Sequence, residues 1–336
     1  MAKRTAPRAR QVTRQTATVE RPIGFGFDVP SLAQARKLGL PVTYGSVWAG
    51  AWNQERDGWG GITDMLKTAR AHGVTPVIQW WYWGDDLSPA CVERGCKDQY
   101  YGVWKDKATW DRMSAELAEI VVDTLGGSSG AIIIVETEFN KGSMERNETF
   151  DAWLADKLQF FRSKGLRAVV GFGNWSRQHW NNYDRAIAAA DLIGAQILYS
   201  SIRNEAAYLS GPEVLISAAK YNADVFGKPT FITDVAFSSY PAPAYERYQD
   251  TAVREIVARL GELREAGVQG IVWRMLSDDP AFNTANYHGM AERYWGLLRA
   301  DGTPKPAFEP FRTGMLTEAA RQTDRVGRPP ATTASR

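Results

Sequence analysis

Eight short runs of β-branched and aromatic residues, most followed by a polar loop and a helix-periodic stretch, set the tightest limit on what this chain can fold into. The runs cover residues 23–29, 41–48, 75–83, 131–138, 167–173, 192–200, 229–236 and 270–276. Helical periodicity lies between them at 62–71, 107–125, 150–163, 213–226 and 245–266. Gly73, Gly165, Gly227 and Gly267 stand where a helix C-cap before the next strand needs φ > 0. Strands alternating with helices imply parallel pairing through right-handed crossovers, and eight such units suit a closed ring. The expected fold is α/β, a single eight-stranded TIM barrel over residues 23–319. The alternative is an open doubly wound sheet, which normally brings a phosphate-binding loop after its first strand. Gly24-Phe25-Gly26-Phe27 lacks the G-x-G-x-x-G spacing such a loop needs.

The two ends break the pattern. Residues 1–22 carry Lys3, Arg4, Arg8, Arg10, Arg14 and Arg21 against Glu20, without hydrophobic period, and 320–336 resemble them. Both are expected to be disordered tails, the first of them basic. The net charge is +2, so the body between the tails is mildly acidic and a poor match for nucleic acid. No stretch approaches roughly 18 uninterrupted apolar residues, so no membrane span is expected. No apolar core follows the basic start, so no signal peptide is read there. Nothing in the pattern fixes an oligomeric state.

Cys91 and Cys96 sit close together in a long polar segment after the third run. His72, His179 and His288 lie elsewhere, so a zinc site lacks ligands, and no metal or cofactor is expected. The two cysteines form either a loop-closing disulfide, which would favour an extracytoplasmic site, or a pair of free thiols.

Barrel enzymes act at the C-terminal ends of their strands. The fourth run reads Ile132-Ile133-Ile134-Val135-Glu136-Thr137-Glu138-Phe139-Asn140. Strand alternation puts Glu136 and Glu138 on one face, with Glu138 nearer the mouth. A structural reading of the pair is a salt bridge, for instance from Glu136 to Arg274 in the eighth run. The seventh run, Thr230-Phe231-Ile232-Thr233-Asp234-Val235-Ala236, carries one carboxylate in apolar surroundings. Asp234 either organises the loop at Ser238-Ser239-Tyr240 or faces the fourth run across the mouth, as two-carboxylate glycosidases require.

These residues resemble the clan of (β/α)-barrel glycoside hydrolases with an acid/base glutamate ending strand four and a nucleophilic carboxylate ending strand seven. Thr137-Glu138-Phe139-Asn140 stands where the clan shows Asn-Glu-Pro, and Ile232-Thr233-Asp234 where a strand ends in glutamate. The passage Trp295-Gly296-Leu297-Leu298 to Gly302-Thr303-Pro304-Lys305-Pro306-Ala307-Phe308 is similar to the last strand-to-helix passage of many members. The resemblance implies that Glu138 is the general acid, kept protonated by Glu136 and apolar walls. Asp234 is then the nucleophile or the base that activates water, and Glu136 tunes Glu138 or holds a substrate hydroxyl. Two departures stand out. Thr137 replaces the asparagine that in the clan contacts the sugar 2-hydroxyl, and Asp234 is one carbon shorter than glutamate. A wider carboxylate gap favours inversion over a covalent intermediate, so both stereochemical courses stay open.

Aromatic residues at the strand ends suit the C–H faces of sugar rings. Trp48, Trp81, Trp83, Trp175, Tyr199 and Trp273 are candidate substrate contacts, with Asp28, Asp85, Asn174 and Arg274 for the hydroxyls. Trp80 and Tyr82 read better as packing between barrel and helices. The function expected is hydrolysis of an oligo- or polysaccharide. The alternatives are a barrel of a viral tail or secretion apparatus that binds saccharide without cutting it, and a metal-dependent barrel hydrolase, which the few histidines disfavour.

Overall fold

In a computed structural model of the chain, which describes residues 21–84, 87–98, 101–127, 130–173, 177–199, 205–241, 244–282 and 289–326, eight parallel strands close into a barrel. They are β1 (Gly24–Asp28), β2 (Tyr44–Ala49), β3 (Thr75–Trp80), β6 (Ile132–Val135), β7 (Arg167–Val170), β8 (Leu192–Tyr199), β9 (Thr230–Phe237) and β10 (Val268–Trp273). A short antiparallel ribbon, β4 (Cys96–Lys97) with β5 (Trp104–Lys105), lies in the loop after β3. Strand β1 pairs with both β2 and β10, which closes the ring and excludes the open sheet. Each run read from the sequence supplies one barrel strand.

The helices begin and end where local chemistry allows. Asp106 accepts the Thr109 N–H at 2.8 Å and starts Lys107–Leu125, while Asn147 does the same for Glu148–Ser163 through Phe150 N–H at 2.9 Å. The four glycines expected at C-caps all have positive φ, between 62° and 80°. The periodic stretch 245–266 divides into Glu246–Ala258 and Leu260–Glu265. The last helix, Phe308–Val326, runs past residue 319, where the sequence pattern ends the barrel. Residues 1–20 and 327–336 lie outside the described residues.

Two layers of core follow from the period of two. Tyr44, Val77, Ile132, Ile134, Val169, Leu192, Phe231 and Val272 fill the barrel interior. Their strand neighbours Ile133, Val135, Ala168, Val170 and Ile193 pack outward against the helices. Each large aliphatic so buried contributes about 1.5–3 kcal/mol of transfer free energy. Continuing the inward phase brings Ser46, Gln79, Gln196 and Arg274 to the layer above this plug.

Strand β9 is the exception, and it decides the site. Ala195 pairs with Ile232 but Gln196 pairs with Asp234, and on the other side Ile271 pairs with Ile232 but Trp273 with Val235. Thr233 is therefore an extra residue, a β-bulge. Since Phe231 faces inward, strict alternation would turn Asp234 out to the helices. The bulge turns it back into the barrel.

The loop after β3 is tied down at several points. Cys91 and Cys96 form a disulfide, with Cα atoms 4.9 Å apart. Buried Lys105 pairs with Asp98 at 2.5 Å and donates to the Trp83 carbonyl at 2.7 Å. The Tyr82 hydroxyl accepts from Asp106 N–H at 2.9 Å. Lys305 does similar work at the other side of the mouth. Its buried ammonium reaches Asp278 at 2.6 Å, the Ser239 hydroxyl at 2.8 Å and the Gly296 carbonyl at 2.8 Å. Lys305 and the Ser238–Ala291 contact thus organise the loop after β9. Asp234 has no hydrogen bond to that loop among the described residues.

Candidate active site

The straight strand β6 ends in a twist. Glu136 and Glu138 both adopt positive φ, 55° and 61°, a conformation that costs a non-glycine residue about 1–2 kcal/mol. Gly171 makes room for it. A Cβ there would stand 2.7 Å from the Glu136 carbonyl and 2.8 Å from Thr137 Cα.

The twist separates two glutamates that alternation places on one face. Glu136 is fully buried, and its two carboxylate oxygens accept the N–H groups of Tyr82 and Trp83, each at 3.2 Å. Burial pushes its pKa up to about 8, against those two donors and the charges of Lys105 and Lys157. Backbone N–H groups thus engage both oxygens of Glu136, and among the described residues Arg274 pairs with Asp234 rather than with Glu136. Thr137 turns inward instead, its hydroxyl donating to Gln79 Oε1 at 3.3 Å. Glu138 reaches the mouth, its side chain 14 % exposed, and forms an ion pair with Lys141 at 2.9 Å. Asn140 is buried. It clamps the neighbouring strand end, accepting from Gly173 N–H at 2.7 Å and donating to the Gly173 carbonyl at 3.1 Å.

Asp234 lies at the bottom of the mouth, 1 % exposed. Its Oδ2 accepts from Arg274 Nη1 at 3.1 Å and from Gln79 Nε2 at 3.4 Å. Its Oδ1 is buried without a hydrogen-bond partner, as are both polar atoms of Gln196, the residue opposite it on β8. Burial raises the Asp234 pKa to about 6. Arg274 and Gln79 oppose that rise, and the charge of Glu138 adds to it. The two carboxylates are therefore within electrostatic reach of one another. Arg274 also lies over the Trp48 ring, 4.5 Å from its centre. Asp28 accepts from the Ser31 hydroxyl, and burial raises its pKa against that bond and the Arg274 charge.

Solved structures share this fold. A GH5_18 protein from Bifidobacterium longum subsp. longum superposes with a TM-score of 0.64 at 17% identity, over 89% of this chain and 80% of that one. The exo-beta-1,4-mannosidase Op5Man5 from Opitutaceae bacterium strain TAV5 gives 0.64 at 14% identity, over 88% of this chain and 56% of that one. Xylanase B from Clostridium stercorarium F9 gives 0.57 at 16% identity, over 87% and 96%. The chain has the fold of these barrel hydrolases. No protein-family model matches its sequence, and no curated protein does.

On this frame the structure brings Glu138, Asp234, Asp28, Arg274, Trp48 and Trp81 together at one end. Trp48 meets Trp81 edge to face at 5.7 Å. Two of the tryptophans expected there are elsewhere. Trp83 packs with Tyr82, Trp110 and Phe150 in the helix layer, because Glu136 fixes its backbone on that side. Trp273 follows inward-facing Val272, so it points outward, donates to the Trp295 carbonyl at 2.8 Å and packs on Phe311. Arg274 takes the inward position. Tyr199 is half-buried and lies flat on Phe237. Trp80 and Tyr82 pack between barrel and helices, as read from the sequence, with Trp80 Nε1 donating to Ser114 at 3.0 Å. Asp85, Asn174 and Trp175 lie outside the described residues.

Sequence reasoning misses Gln79 and Lys141. Gln79 was within reach, since it follows Val77 in the inward phase of β3. Lys141 has no periodic signal at all. Among the described residues, no group of three or more His, Cys, Asp or Glu side chains is placed to hold a metal ion.

Proposed function

We propose that this chain is a glycoside hydrolase that cleaves an oligo- or polysaccharide with Glu138 and Asp234. The observation that carries this reading is the bulge in β9, which turns Asp234 into the mouth toward Glu138. A bulge that re-aims one carboxylate into a barrel mouth fits a site better than a packing role. Arg274 and Gln79 fix one oxygen of Asp234 and leave the other for the reaction. Substrate entry exchanges the Lys141 contact of Glu138 for the glycosidic oxygen, and Glu138, having taken a proton from solvent, passes it to the leaving group. Asp234 either attacks the anomeric carbon or takes a proton from the attacking water.

The neighbours suggest which glycans to try first. One solved GH5_18 variant is in complex with Manb1-4GlcNAc, and a beta-1,3-glucanosyltransferase mutant is in complex with laminaritriose. Incubation with mannan, laminarin and xylan should release new reducing ends from at least one of them. Release from none of these, and from no wider polysaccharide panel, would defeat the proposal.

Acidity adds a second test. Asp234 acts only when ionised, so kcat/KM should fall as pH drops through about 6. Removing the cation with Arg274→Gln should move that limb to higher pH, because Arg274 favours the charged form. A limb left in place would show that Asp234 does not control it.

A binding role without cleavage has one observation in its favour. Glu138 and Asp234 are each already paired with a cation, Lys141 and Arg274 respectively. Glycan retention with no product would favour that reading. The disulfide supports action outside the cytoplasm. No helix among the described residues is long and apolar enough to cross a membrane.

A further inference from the structure

The described residues of the loop between β3 and helix Lys107–Leu125 are anchored at several points. The disulfide closes its helix Pro89–Arg94 onto β4, and Lys105 ties β5 to both Asp98 and the Trp83 carbonyl. Glu136 holds the backbone of Tyr82 and Trp83 where the loop departs. Asp98, anchored by Lys105, accepts the Tyr101 N–H at 2.7 Å.

What this bracing presents is aromatic. Tyr101 stacks on Trp52 at 4.7 Å with ring planes 22° apart, and Trp52 meets Trp81 edge to face at 5.7 Å. Trp81 meets Trp48 in the same way, and Trp48 lies under Arg274, the partner of Asp234. An unbroken series of ring contacts therefore runs from the carboxylates to the loop. Trp81 is buried and serves as the connector, whereas Trp52 is half-buried and Tyr101 is 36 % exposed.

We propose that Trp52 and Tyr101 form a second saccharide subsite, which stacks a pyranose ring further along the chain whose bond lies at Glu138 and Asp234. This rests on the hydrolase reading for the identity of the ligand. Half-buried Trp52 and partly exposed Tyr101 offer ring surface on the scale of one sugar ring, while a stable protein partner needs about 800 Å² on each side. Bracing the loop in advance removes the ordering cost of binding, so the platform adds affinity rather than spending it. The protein is then built for chains, and the outer sugars set its preference for length.

The test compares wild type with Trp52→Ala, Tyr101→Ala and the ring-conserving Tyr101→Phe. Native electrophoresis through gels containing mannan, laminarin or xylan reads binding, and ladders of mannan, laminarin and xylan oligosaccharides read turnover by length. Each alanine variant should lose about tenfold in affinity, which corresponds to about 1.4 kcal/mol. It should also lose the rise of kcat/KM with chain length while keeping wild-type rates on the shortest substrate cut. Tyr101→Phe should behave as wild type, which separates ring stacking from damage to the loop. The proposal is overturned if the alanine variants keep both retention and length dependence, or if wild type is retained in no gel. Retention that depends on Tyr101, with no turnover by any form, would sustain the subsite and sink the hydrolase reading. Turnover that ignores length would do the opposite.

Discussion

Glu138→Gln should lose turnover of a natural glycan by about a hundredfold to ten-thousandfold, and Asp234→Asn by at least as much. Neither change should unfold the protein. Glutamine keeps the size of Glu138 and loses only the pair with partly exposed Lys141, a contact that contributes little to stability. Asparagine at 234 can still accept from Arg274 and Gln79 through its carbonyl oxygen. The leaving group separates the two roles. A dinitrophenyl glycoside departs without a proton, so Glu138→Gln should recover most of its first-step rate on that substrate. Asp234→Asn should stay inactive on both. Equal losses on both substrates would remove Glu138 from the acid's role, and normal rates in either variant would end the assignment.

Glu136→Ala should lower stability by about 3 kcal/mol or more, the second large effect expected. Its two oxygens satisfy the N–H groups of Tyr82 and Trp83, and alanine leaves both unpaired in a buried place. A loss of that size is a large part of the 5–15 kcal/mol typical of a folded domain. Urea denaturation measures it, and a loss under about 1 kcal/mol would show that water replaces the carboxylate. The pH dependence follows from the same burial. The pKa of Glu136 is raised to about 8 in the folded chain, above its unfolded value near 4.3. The stability this proton contributes is complete below about pH 4 and lost as pH rises through about 8. Glu136→Gln should flatten that part of the profile. It should leave the acid limb set by Asp234 where it is.

The number of strands and their order were legible because each barrel strand repeats one pattern, and a run of Ile132 to Val135 admits no other reading beside its helices. The glycine caps were legible for the same local reason. The site was legible only in part. Asp234 faces inward through a bulge at Thr233, and no periodic rule marks an extra residue in an apolar strand. Glu136 and Glu138 part company through two positive φ values, which glutamate rarely adopts and which depend on Gly171 of the next strand. The same logic explains the tryptophans. Trp273 and Arg274 exchange places as soon as Val272 is known to face inward, and Trp83 follows a backbone that Glu136 holds outside. The disulfide, left open between two alternatives by sequence, depends on the tertiary course of its loop.

If Asp234 supplies the carboxylate that acts on the anomeric carbon or its water, a small anion should replace it. Asp234→Gly with a dinitrophenyl glycoside, measured with and without sodium azide, tests it most directly. The small anion can enter the space the carboxylate leaves and attack the anomeric carbon, displacing dinitrophenolate. The expected result is no turnover without azide, and turnover restored by azide with a glycosyl azide as product. Asp234→Gly that cleaves the glycoside as fast as wild type without azide would contradict it.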